Sequence, residues 1–192
     1  MFVENKEIIK IFYSLIVVFI CAVIVVKADK LFRLSFHQGI RYFRNAFLFY
    51  GLGFIVRYIF GSLYFKDVFS NYHYLINIFF EFFLVMGGFF LLYSLLWKKI
   101  DPSRTDYSSL LNLRIFVFYI MAILIVVLDY LWATHSFMFF SQIIVFAIAS
   151  GISFSNYRNK DRKYKFPKFY FLAMLLGFFA WILNTIAELY FN

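Results

Sequence analysis

Three titratable side chains, Arg57, Glu81 and Asp129, lie inside long apolar runs of this 192-residue chain, and a fourth, Glu188, falls near the end of the last run. A charge at mid-bilayer depth costs a few kcal/mol or more, so residues of this kind usually mark a pathway, a proton site or a pair. Counting along the helices these runs predict, Arg57 stands about eight residues, ~12 Å, from the outer end of its segment. Glu81 stands about seven residues, ~10 Å, from the outer end of the next. Opposite charges at matched depth on consecutive helices predict an Arg57–Glu81 ion pair, because each alone would be a costly intramembrane charge.

Other polar residues fall at similar depth. Asn77 is one turn from Glu81, Asp129 about one turn below the end of the fourth run, Gln142 early in the fifth, and Asn184 with Glu188 in the last turns of the sixth; Tyr13 and Ser14 complete the set. The expected arrangement is a polar layer with an outward-facing cavity, lined by Arg57, Asn77, Glu81, Asp129, Gln142, Asn184 and Glu188. One arginine against three carboxylates favours cations or protons as its occupant. The plainer alternative leaves Asp129 and Glu188 simply solvated near the interface and makes the Arg57–Glu81 pair structural.

Other chemistry finds less support. His73 and His135 fall near the carboxylates at the outer boundary, but no single-helix ligand spacing such as H-x-x-x-H accompanies them, so no metal is expected. There is no G-x-S-x-G, no glycine-rich phosphate loop and no base near Cys21, and residues 169–191 contain no lysine to hold a retinal-type pigment. No cofactor is expected, and a small intramembrane enzyme acting on lipid is the weakest of the functional readings.

The elements that position these residues follow from composition. Hydrophobic residues make up 64% of the chain, charged residues 15%, and mean hydropathy is +0.81. A single soluble core cannot hide that much apolar surface, and the runs lack the alternation of a transmembrane barrel. The expected fold is all-α: a polytopic six-transmembrane-helix bundle forming one domain over 1–192, with spans near 8–27, 40–65, 74–97, 113–133, 136–155 and 167–191. The first span lacks a small-x-small cleavage site and is read as a retained helix rather than a signal peptide.

Fifteen of the nineteen basic residues fall between 27 and 44, 98 and 114, and 158 and 168, the connections after the first, third and fifth spans. The positive-inside rule then places these connections in the cytoplasm and both termini on the non-cytoplasmic side of the cell membrane. The net charge of +9 gathers on one face, where it meets anionic headgroups. Connections this short hold no soluble domain, so nucleic acid is not an expected partner; a membrane-protein partner or a homo-oligomer stays open.

His37, Arg41 and Arg44 share one helix face at that interface and read as anchors. Ser35 and Gln38 fit a capping box, starting a helix of about 30 residues near Phe36. Along it, Arg57 shares a stripe with Gly39, Ala46, Tyr50, Gly53 and Gly61, which predicts that it faces the bundle.

Two functional classes remain. One is a transporter, channel or sensor-like module that binds or passes a small polar or cationic solute or protons. The other is an accessory or scaffold subunit whose charges serve folding.

Overall fold

The computed structural model describes residues 2–60, 70–100, 113–132, 134–159 and 166–191, with side chains for 11–58, 74–97, 115–132, 134–158 and 170–187. It is all-helical over these residues. The helices are α1 (Phe2–Ser35), α2 (Gln38–Phe54) running into a π-helical segment (Ile55–Phe60), α3 (Ser70–Ile100), α4 (Leu113–Trp132), α5 (Ser136–Asn159) and α6 (Phe166–Phe191). Five of the six, all but α2, are long and apolar enough to cross a membrane.

The hub is α3. Every residue from Leu84 to Leu91 is buried, as expected of a helix that is hydrophobic all round. In its apolar window 56% of residues are buried, against 17% in α1 and 6% in α6, so the layering runs from α3 outward. Helices α2, α4 and α5 pack on α3, while α1 lies outside α2 and α6 outside α5. Outward-facing side chains such as Phe19, Val26, Leu124, Leu131 and Leu183 form an apolar belt that water would not tolerate and lipid does. The chain is thus a membrane-embedded helical bundle.

Glycines set the closest approaches. Two adjacent ones on α3 admit side chains from opposite neighbours: a Cβ at Gly87 would lie 3.1 Å from the Tyr50 ring of α2, and one at Gly88 would lie 2.7 Å from Oε1 of Gln142 on α5. Without a side chain at either position, backbones approach closely enough for these polar groups to meet.

The start of α2 departs from the expected capping box. Helix α1 continues through Ser35, whose hydroxyl donates to the Leu31 carbonyl at 2.8 Å and accepts the His37 amide at 3.4 Å, so it closes the end of α1 and does not sit at the N-cap position of α2. The chain turns at Phe36, which has a left-handed φ of 51°, and His37 takes the N-cap position in extended conformation with no side-chain capping bond. A non-glycine residue in that region costs roughly 1–2 kcal/mol.

Candidate polar centre at the α4–α5 turn

The short turn between α4 and α5 is organised by Asp129, three residues before the end of α4. One carboxylate oxygen accepts the Phe137 amide at 2.9 Å and faces the Thr134 hydroxyl at 3.4 Å; the other accepts the Met138 amide at 2.7 Å. The Thr134 amide donates to the Asp129 carbonyl at 3.0 Å. The first α-helical bond of α5 runs from Phe139 to the His135 carbonyl, which makes Phe137 and Met138 the second and third residues of the helix. A local cap would bond these same two amides, and here a carboxylate from the previous helix does so instead. Its negative charge also faces the positive end of the helix dipole.

Capping by Asp129 relieves His135, the residue at the N-cap position, of that task. Its Nδ1 lies 2.5 Å from Oε1 of Glu81 on α3, with 40% of the His135 side chain exposed and 6% of the Glu81 side chain. A buried carboxylate is thereby joined through one ring to the surface at the end of the bundle. Histidine is the side chain whose charge changes most readily near neutral pH.

Glu81 therefore has a different partner from the one expected. Among the described residues no ion pair joins Arg57 to Glu81. The Arg57 Cζ lies 4.3 Å from the centroid of the Phe80 ring and 5.8 Å from that of Tyr58, and the side chain is exposed. The cause is the π-helical segment containing Arg57. Its wider turns advance each residue by a smaller angle, so positions beyond Phe54 fall out of phase with the α-helical stripe. Gly39, Ala46 and Gly53 keep that stripe's buried face, whereas Arg57 does not, and Gly61 lies outside the described residues.

The other expected layer residues separate into different settings. Gln142 is fully buried; its Nε2 donates to the Leu84 carbonyl at 3.3 Å and its Oε1 accepts the Tyr50 hydroxyl at 3.2 Å, so it links α2, α3 and α5 inside the core. Asp129, 2% exposed, is occupied by the amides it caps. Asn77 is half-buried one turn before Glu81, and Ser14 is buried with its hydroxyl donated to the Ile11 carbonyl of its own helix. Asn184 is exposed, whereas Gly177, two turns earlier on α6, lies against Phe146 of α5. The Glu188 and His73 side chains lie outside the described ones. Among the described members of the expected layer, Glu81 thus meets His135 at a turn braced by Asp129, while Gln142 serves the core.

At the opposite end, Arg44 pairs with Asp29 of α1, which also receives Arg33 at 2.8 Å. The Arg41 guanidinium lies 5.6 Å from the Phe32 ring centroid, and the His37 ring stands edge-on to Trp97 at 4.9 Å. Two of the three expected anchors, Arg41 and Arg44, thus also tie α2 to α1, and the third touches α3.

In the sequence His135 falls near the carboxylates and reads only as a candidate zinc ligand; its contact with Glu81 is not evident there. The signal for it is its position immediately before α5, from which a histidine ring can reach across to α3. Among the described residues, no group of three or more His, Cys, Asp or Glu side chains could hold a metal ion. No protein-family model, curated protein or solved structure matches the chain.

Proposed function

We propose that this protein is a proton-responsive transporter, channel or sensor-like module of the cell membrane. In this reading it has six spans, with both termini on the non-cytoplasmic side, and the Glu81–His135 pair takes up and releases protons on that side. The observation that supports this most is the bond between a nearly buried carboxylate and a half-exposed imidazole. Of the occupants suggested by the sequence, the proton fits best, because it needs no more room than the bond itself. A small polar or cationic solute would be coupled to that protonation.

The test is proton flux in liposomes containing the full chain and a trapped pH dye, alongside the pH dependence of its tryptophan fluorescence. Glu81→Gln and His135→Ala should each remove the response that wild type shows. A wild-type response unchanged by both substitutions, or no response in either measurement, would leave the accessory-subunit reading. That second reading draws support from Asp129 and Gln142, whose hydrogen bonds hold helices together.

A further inference from the structure

We propose that Arg57 binds a phosphate group, carried either by a membrane lipid or by a small phosphorylated solute. The argument begins with charge. At this end of the bundle Glu81 is bonded to His135 and Asp129 to two amides, so neither carboxylate is committed to Arg57. Among the described residues no carboxylate lies within ion-pairing distance of the guanidinium, which lies instead against the rings of Phe80 and Tyr58. Such rings attract the cation through their faces but accept none of its five N–H donors in ordinary hydrogen bonds.

The backbone points the same way. The described helix containing Arg57 becomes π-helical at Ile55–Phe60, a distortion frequent at functional sites, and this turn takes Arg57 off the buried stripe into an exposed position. The Phe80 ring 4.3 Å away limits the conformations of the side chain and lowers the entropy lost when a ligand binds. A planar fork held in this way suits two oxygens of one phosphate, which arginine recognises in a bidentate manner.

Depth is consistent with both sources. Phe80 lies six residues into the apolar stretch that begins at Tyr74, roughly 9 Å along the helix. From there an arginine can extend its head group toward the interface, where lipid phosphates lie and where a soluble phosphate can arrive.

The experiment uses the full chain purified in detergent, with thermal unfolding followed while short-chain phosphatidylglycerol or inorganic phosphate is titrated in separate arms. One probe should raise the wild-type midpoint in a saturable way. Arg57→Gln should move the half-saturating dose up at least tenfold, and Arg57→Lys by less, since lysine keeps the charge and loses the fork. Saturation by the lipid alone identifies a headgroup site, and saturation by inorganic phosphate identifies a solute site. No stabilisation by either probe, or equal stabilisation of wild type and Arg57→Gln, overturns the proposal. If the glutamine variant does not fold, Phe80→Leu leaves the arginine and removes the ring that holds it: a severalfold weaker dose response supports the site, and an unchanged one overturns it. The proton response of the Glu81–His135 pair should survive Arg57→Gln, so the two proposals fail separately.

Discussion

Nδ1 of His135 lies 2.5 Å from Oε1 of Glu81, joining the turn before α5 to the central helix α3. Removing the ring by His135→Ala leaves a nearly buried carboxylate without that partner. The expected loss is about 1–3 kcal/mol of stability, the usual cost of an unsatisfied buried polar group. Replacing both residues, with Glu81→Leu added to His135→Ala, should recover part of it. Chemical denaturation in detergent micelles measures both, and a double variant no better than the single one would contradict the pairing.

Asp129 makes a separate prediction, because its bonds go to backbone amides. Asp129→Ala should cost about 1–2 kcal/mol, as for loss of an N-cap, and Asp129→Asn less, since the amide oxygen can still accept. Hydrogen exchange at Phe137 and Met138 should accelerate in the alanine variant while exchange in the middle of α3 changes little. Uniform acceleration throughout the bundle would argue against a local capping role.

Gly88 and Gly151 form a matched test of packing. A methyl group at Gly88 would lie 2.7 Å from Oε1 of Gln142, whereas one at Gly151 would meet nothing within 4 Å. Gly88→Ala should therefore displace Gln142 from Tyr50 and Leu84 and lower the unfolding midpoint, with Gln142→Ala partly restoring it in the double variant. Gly151→Ala should be neutral or stabilising by up to ~1 kcal/mol from helix propensity. Equal effects at the two glycines would rule out the proposed fit around Gln142.

The lone cysteine reports on the α1–α2 contact. Cys21 is buried, and a Cβ added at Gly51 would lie 3.2 Å from its Cβ. A bulky Gly51→Leu substitution should separate the two helices and speed labelling of Cys21 by a small membrane-permeant thiol reagent severalfold. A rate as slow as in wild type would show that the contact tolerates the larger side chain.

Regular helical features were the most legible in the sequence. Apolar runs predicted the all-helical membrane bundle, and the period of 3.6 residues put Gly39, Ala46 and Gly53 on the buried face of α2. The same period failed at Arg57, because nothing in the local residue types announces a π-helical turn. It also gave no hint that Asp129 would reach forward to Phe137 and Met138, a contact that depends on how α4 and α5 meet. Ser35 misled for a related reason: its type suits a helix start, but the preceding helix runs on to include it. The pairing of Asp29 with Arg44, fifteen residues on, follows no helical spacing and depends on how α1 and α2 meet.

The order of packing has a consequence for how the protein is made. Helices α1, α2 and α3 follow one another in the chain and pack in that order, so the first half of the bundle needs no later segment to begin assembling. Such neighbouring contacts close short stretches of chain and form quickly during synthesis. The Glu81 carboxylate is synthesised 54 positions before His135, and during that interval it lies on a partly assembled bundle without its imidazole partner. Arrival of the α4–α5 hairpin, with Asp129 already near the amides it caps, is the step in biogenesis that shields this acid.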